Sequence, residues 1–176
     1  PATALDLVGN ATITVADNTD TLKLVSTDAD SNVGPNLNLY RNSASPADND
    51  IAGKIQFNSR NDNSQDVIYS EMYITTPDVS DGSEDGQLHI DTMVAGTSRS
   101  RIKLMPAETV FNENSIDLDF RVESDSDTHA LFVEGSSGNV NIGTTTSLGK
   151  FAVKIDTNKV IAYSGAIGEV GSVPAL

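Results

Sequence analysis

The chain has 176 residues, a formal net charge of −14 and no cysteine. The negative charge and the absence of a basic patch argue against nucleic acid as a partner, and the lack of cysteine excludes disulfides and thiol chemistry. No apolar run approaches the ~20 residues of a membrane-spanning helix, and residues 1–10 lack the basic start of a signal peptide. We therefore expect no membrane insertion, and assembly in a reducing cytoplasm.

The polar residues indicate the fold class. The chain holds 18 Asp, 15 Asn and 19 Ser, which favour turns because their side chains compete for helical hydrogen bonds. Thr, Val and Ile supply the segments between the turns and suit strands. The sequence predicts an all-β protein with negligible helix, its strands arranged as an antiparallel meander or in a β-sandwich-like manner.

The first part of the chain, residues 1–40, is expected to be a shaft-like segment of short β-hairpins. Strands are predicted where apolar and polar side chains alternate, at 4–8, 11–16, 22–26 and around Leu37 and Leu39. Residues 41–50, with the sequence RNSASPADND, are small, polar or proline, which is typical of a linker loop.

Residues 51–129 are predicted to form a central antiparallel β domain. Its strands are expected, in order, at 53–59, 67–75, 87–95, 100–105, 109–111 and 115–122. The strand at 67–75 is apolar on both faces, so it should lie centrally in the sheet or at a subunit contact. For Arg41 and Arg60 a solvated face is the default, and pairs with acidic turns within or between subunits are the alternative expected.

Residues 130–176 are predicted to be a strand-and-turn segment whose tail is open to continuation into a further domain. Strands are expected at 131–133, 140–142, 151–155 and 160–163. Ser137, Gly138 and Asn139 provide the first turn. In the strand that follows, alternation places Val140 and Ile142 on a buried face and Asn141 on the outer face.

One acidic turn partly matches a calcium-binding loop. Asp81, Ser83 and Asp85 occupy positions one, three and five, but position twelve is Thr92 where a bidentate Glu is required. A solvated turn is the favoured interpretation, and neither a metal nor a cofactor is assigned.

The other candidate chemistry rests on two histidines. His89 should be exposed or at a subunit contact, and His129 has Asp125 and Asp127 nearby. In a threefold assembly, three copies of either histidine would be able to hold an ion. The chain has no Gly-x-Ser-x-Gly elbow and no phosphate-binding loop, so no catalysis is predicted. Paired carboxylates of a glycan-degrading enzyme remain as a third alternative.

A resemblance to a known family follows from the string SSGNVNIGTT at 136–145. This turn motif resembles a repeated element of bacteriophage tail-fibre and other virion appendage proteins. The strings LKLVSTDAD, GKIQFNSRNDNSQDVIYSEMYI and DFRVESD extend the likeness, from about Thr21 onward, to tail fibres of marine phages. The resemblance implies an all-β, elongated and usually trimeric virion protein.

The function expected from this resemblance is structural. The chain would be a segment of a phage tail fibre in the virion, supporting or presenting host-receptor recognition. Its partners would be two further copies of itself, other tail or fibre proteins, and a glycan or protein on the host surface. The alternative is an extracellular bacterial adhesin or carbohydrate-binding β domain, and the native mass separates the two.

The predicted strands have apolar faces only two to four residues long. An extended chain would leave these faces exposed unless a neighbour covered them, and a closed threefold arrangement does so with identical surfaces. The expected core and trimer-contact residues are Phe57, Leu88, Ile90, Ile102, Leu104, Leu118, Phe120, Phe132, Ile142 and Val153.

Overall fold

A computed structural model describes residues 7–146, 149–156 and 159–163 of the chain, with the backbone alone from residue 155 onward. The chain divides into two units, Pro1–Leu39 and Tyr40–Leu176. No described residue is helical, which confirms the all-β prediction. Within this part of the chain there is also no helix able to cross a membrane. The predicted strand at 4–8 falls largely outside the described residues, as does the tail.

The described part of the first unit, residues 7–39, contains no strand. The strands predicted at 11–16, at 22–26 and around Leu37 are therefore wrong for the single chain. Every one of these residues is exposed, although the alternating pattern is present. A strand exists only when another strand supplies its hydrogen bonds, and none does so here.

The second unit begins with a five-stranded antiparallel sheet whose strands follow one another in space as in sequence. Its strands are β1 (Asp50–Arg60), β2 (Asp66–Asp78), β3 (Asp85–Val94), β4 (Thr97–Leu104) and β5 (Thr109–Phe111). Ala95 and Gly96, with φ of 48° and 77°, make the two-residue turn between β3 and β4. Positive φ at both positions suits the twist of a tight hairpin. The predicted meander is confirmed.

A bulge in the pairing of β3 with β4 separates two chemically different faces. Ile90 pairs with Ile102, whereas Asp91 pairs with Ser100, so Arg101 is an extra residue on β4. Without this bulge Ser100 and Ile102 would share a face, since side chains alternate along a strand. The bulge instead directs Ser100 to the polar face and Ile102 to the apolar face.

The second sheet also has five strands, in the order β10-β9-β8-β7-β6. They are β6 (Phe120–Val122), β7 (Leu131–Val133), β8 (Val140–Ile142), β9 (Phe151–Asp156) and β10 (Lys159–Tyr163). All pairings are antiparallel except β8 with β9, which is parallel. This pair is the one departure from antiparallel pairing among the described strands. Residues 143–150 separate the two strands, and such a connection is longer than a tight hairpin turn of 2–5 residues.

The orientation predicted for β8 is reversed. Asn141, expected to face outward, is completely buried, and Ile142 is 38% exposed. Pairing places Asn141 between Phe132 of β7 and Ala152 of β9, which are 9% and 0% exposed. The three paired residues are all buried, so the orientation of β8 follows from its position between β7 and β9.

The predicted strand at 115–122 is realised only at Phe120–Val122, because the residues before it form an irregular connection. Asn112 has a φ of 63°, and its side chain donates to the Ile116 carbonyl at 2.8 Å. Farther along, the backbone of Leu118 crosses Gly135 so closely that a Cβ there would lie 2.3 Å from the Leu118 nitrogen. The chain can approach this closely only because position 135 has no side chain.

Candidate functional site

One face of the first sheet is apolar across all five strands. Ile55, Met72, Ile90, Ile102 and Phe111 form one row, each paired with the next. A parallel row consists of Ile74, Leu88 and Leu104, and Phe57 lies two residues beyond Ile55 on β1. These nine side chains are called the apolar face below. None of them carries a charge.

The apolar face is open to solvent in the single chain. Phe57 is 60% exposed, Phe111 49% and Leu104 42%. Ile55, Met72 and Ile74 are also exposed, and the remaining three members are half-buried. A contiguous apolar surface of this kind, in contrast to scattered apolar residues, is typical of an interaction site.

The apolar face continues onto the connection toward the second sheet. The ring of Phe120 lies 5.0 Å from that of Phe111, at an interplanar angle of 52°. Ile102, Leu118 and both phenylalanines line a cleft of about 190 Å³. The structure therefore brings together seven of the ten predicted contact residues, five on the face and Leu118 and Phe120 at its end.

The opposite face of the same sheet is polar, and its groups bind one another. Lys54 forms a 2.9 Å ion pair with Glu71, which lowers the pKa of the Glu71 carboxyl. The same ammonium lies 5.2 Å from the centre of the Tyr73 ring, within reach of a cation–π interaction. Lys103 pairs with Glu113 at 3.2 Å. Both lysines of this face are therefore paired with carboxylates of the same chain.

His89 lies at the centre of the polar face and is only 9% exposed, so its predicted exposure was wrong. Its ring stacks on that of Tyr73 with centroids 4.3 Å apart and planes 8° apart. Its Nε2 atom lies 2.7 Å from the Gln87 amide nitrogen and 3.2 Å from the Thr75 hydroxyl. Burial, followed by the nearby Lys103 charge, lowers the pKa of His89. The neutral imidazole, accepting at Nε2, fits these contacts.

Asp91, two residues along β3, is also 9% exposed. The Tyr73 hydroxyl donates to its Oδ2 atom at 3.4 Å, and burial followed by this carboxylate raises the pKa of Tyr73. Its Oδ1 atom and the Ser100 hydroxyl are buried without a hydrogen-bond partner. A sequence pattern contains no signal for this network, because it depends on which residues of β2, β3 and β4 become neighbours.

Of the weak metal candidates, Asp81 and Ser83 lie in the exposed turn between β2 and β3, and Asp85 is the exposed first residue of β3. This turn is closed by its own hydrogen bonds. Ser80 donates its backbone N–H to the Asp78 carboxylate at 2.8 Å, which lowers the pKa of Asp78. The described residues include no group of three or more histidine or acidic side chains that would hold a metal ion.

His129 lies beside the second sheet, in edge-to-face contact with Phe132 at 5.1 Å between centroids. Both residues line an open depression of about 760 Å³. Its other lining residues are Asp117, Leu118, Asp119, Arg121 and Glu123. Arg121 and Glu123 form an exposed ion pair at 2.5 Å. Asp125 and Asp127 are not among the lining residues.

The three remaining predicted contact residues belong to the second sheet. Phe132 is buried within the chain, Ile142 is exposed, and Val153 is half-buried. Arg41 and Arg60 make the expected pairs with carboxylates, Asp50 and Asp66, each at 3.1 Å.

Comparison with known proteins adds no further likeness: no family model, no curated protein and no solved structure matches the chain.

Proposed function

We propose that the chain is a structural segment of an elongated homotrimeric fibre, of the bacteriophage tail-fibre kind, which supports or presents host-receptor recognition and performs no catalysis. The observation that carries this proposal is the open apolar face of the first sheet. The turn motif SSGNVNIGTT and its upstream strings provide the link to virion appendages.

The chemistry of the apolar face favours other copies of the same chain as its partner. The face has no charge, so ion pairing has no part in its recognition, and its match is another surface of the same kind. Closed rotational symmetry places identical faces against one another and leaves no unpaired surface to form open aggregates. The number three comes from the resemblance, since the face itself requires only closure.

A non-catalytic role is supported by the state of the polar groups. His89 and Asp91, the titratable pair at the centre of the first sheet, are covered by their neighbours and are not accessible to a substrate. The acidic residues of the turn at 78–85 are exposed or bound to their own backbone. Neither arrangement resembles an acid–base pair in a cleft.

The native mass tests this proposal. The wild-type protein at micromolar concentration is expected to have three times the 18.6 kDa mass of one chain. Phe57→Asp should reduce the mass to that of a single chain, because it places a charge on the interface. Since Phe57 is 60% exposed, the folded chain should tolerate the change. Light scattering and circular dichroism measure mass and folding separately.

The neighbouring residue provides the control. Asn58 is exposed on the same strand but alternates to the other side, so Asn58→Asp adds the same charge away from the apolar face. This variant should keep the wild-type mass. A wild-type monomer would overturn the trimeric fibre, and an unchanged mass in Phe57→Asp would show that the apolar face is not the contact.

The second candidate, a carbohydrate-binding β domain, is favoured by the depression beside the second sheet. Its volume of about 760 Å³ falls in the range of ligand sites, about 300–1,000 Å³, and its lining combines an aromatic floor with carboxylate, guanidinium and imidazole groups. On this alternative the protein is monomeric and binds neutral oligosaccharides. Arg121→Ala would then weaken oligosaccharide binding measured by calorimetry. The control is Arg60→Ala, which removes an exposed ion pair outside the depression and should leave binding unchanged.

A further inference from the structure

The segment 7–39 combines exposed apolar side chains with an unpaired backbone. Val25 is 65% exposed, Leu22 64%, Leu37 63% and Ile13 58%. Between residues 7 and 39, the described residues exchange no backbone–backbone hydrogen bond. The side-chain hydrogen bonds present are local ones across two residues, such as that from the Thr19 N–H to Asp17 Oδ1 at 3.0 Å. The described segment is thus without a strand ladder on either side of its backbone.

The sequence of this segment is nevertheless patterned for strands. Three stretches, at 11–16, 22–26 and 36–39, alternate apolar and polar residues, and their only charge is Lys23. The aspartates lie between the stretches, at 17–20 and 28–30, where their carboxylates accept hydrogen bonds from nearby backbone. Strand-like stretches separated by turn-forming residues are the sequence pattern of paired strands, so we expect each stretch to pair with another strand.

Three features select the pairing partner. It must present unpaired backbone groups, mostly uncharged side chains, and three such stretches at the same spacing along its length. Another copy of the segment has all three properties. About a threefold axis that runs along the segments, identical segments are parallel, so that apolar stretches meet apolar stretches and the acidic turns remain at the surface.

We propose that the segment 7–39 forms its β-structure between chains, each copy pairing with the same segment of its neighbours. This inference rests on the proposed trimer but concerns a different surface, since the apolar face belongs to the other unit of the chain. Its consequence is that the segment gains stable backbone hydrogen bonds only on assembly. Folding of the segment and association of the chains are then one event.

Disulfide cross-linking tests the pairing, because a chain without cysteine allows single cysteines to be introduced on a clean background. Ile13→Cys and Val15→Cys lie on the apolar side of the first stretch, and Thr12→Cys and Thr14→Cys on the other side. Neighbouring sulfurs in an assembly meet at an effective concentration of about 1 mM. At about 10 µM chain, the variants of both sides should therefore form disulfide-linked dimers roughly 100-fold faster than free collision allows.

The outcomes are distinct. Rapid cross-linking at all four positions supports interchain strands in register, because paired strands bring the same residue of two chains side by side on both faces. Cross-linking at 13 and 15 alone would show that apolar sides touch without paired backbones, and it overturns the inference, as does the absence of cross-linking at every position. The native mass of the same samples separates the two proposals: trimers that do not cross-link refute only the pairing, whereas monomers refute the proposed function as well.

Hydrogen exchange gives a second measurement that needs no variant in the segment. Amides of residues 11–16 should be protected in the wild-type trimer and exchange freely in Phe57→Asp, if that change separates the chains. Free exchange in the intact trimer would overturn the inference.

Discussion

At the scale of single residues, the polar face shows how β3 acquires a unique register. His89 and Asp91 are buried on one side of the strand, and Leu88 and Ile90 lie on the other. A slip by one residue would move both polar groups onto the apolar face. The stacking of His89 on Tyr73 and the contacts at its Nε2 atom are lost in any other alignment. Moving these polar groups onto the apolar face would place them among apolar side chains without their present hydrogen bonds, which is costly and favours the observed register.

Acid should destabilise the protein through His89. The folded state lowers the pKa of this imidazole below its ordinary value of 6.5, so the unfolded chain binds the proton more readily. The contribution of His89 is therefore fully present above pH 6.5 and is lost as the pH falls toward the folded-state pKa. The midpoint of urea unfolding should decrease between pH 7.5 and pH 5.5.

The variant His89→Gln isolates this contribution from that of the carboxylates. Its amide cannot titrate, so its midpoint should fall less than that of the wild type over the same pH range. An equal fall in both proteins would show that protonation of His89 is not the cause.

At the scale of elements, local turn signals and long-range crossings contribute differently. The hairpin of β3 and β4 follows from Ala95 and Gly96, which adopt the required positive φ. The connection between β5 and β6 instead depends on a distant residue, since Leu118 packs on Gly135 of the turn between β7 and β8. The strand predicted at 115–122 fails for this reason, because residues held against Gly135 are not free to pair.

Substitution at Gly135 should disrupt this crossing. In Gly135→Ala the new Cβ would lie 2.3 Å from the Leu118 nitrogen and 2.6 Å from its carbonyl carbon, so the backbone must move. Overpacking of this kind typically costs about 1–3 kcal/mol, and we expect the upper end of that range in denaturant unfolding. Gly86→Ala, whose added Cβ meets nothing within 4 Å, should change stability little. Similar stability of the two variants would contradict the crossing.

At the scale of the whole molecule, charge and apolar surface act in opposite directions. The net charge of −14 repels copies of the chain from one another, whereas the two proposed contact regions, the apolar face and the segment 7–39, would favour association. The apolar face carries no charge and the aspartates of the segment lie between its strand-like stretches, so the proposed contacts leave the acidic residues in solvent. Association is therefore expected to strengthen with added salt, which screens the repulsion.

Thermal stability should depend on protein concentration if chains fold and assemble together. Mass action raises the unfolding temperature of an assembly as the chain concentration rises. The wild-type midpoint should therefore increase between about 1 and 100 µM chain, and more so in added salt. Phe57→Asp should unfold at a temperature independent of concentration. A concentration-independent wild-type midpoint would show that one chain is the stable unit.

The sequence by itself determined the features that depend on neighbouring residues. A turn predicted from Gly96 onward separates alternating apolar runs, so the meander of β1 to β5 was predictable, whereas Ala95, predicted to end a strand, belongs to the turn. The apolar residues that define one face of that sheet, such as Ile90 and Ile102, were predictable for the same reason, because alternation is a property of consecutive positions.

Only the tertiary structure decided which side of each element is covered. Asn141 is buried because β8 pairs with both β7 and β9, and no local pattern contains that information. His89 is buried because the ring of Tyr73 becomes its neighbour across a strand pair. The segment 7–39 has the alternation of strands but no strand partner among the residues that the structure describes. Alternation in the sequence therefore shows that a segment is able to form a strand. Whether it does so depends on a neighbouring strand that supplies the hydrogen bonds.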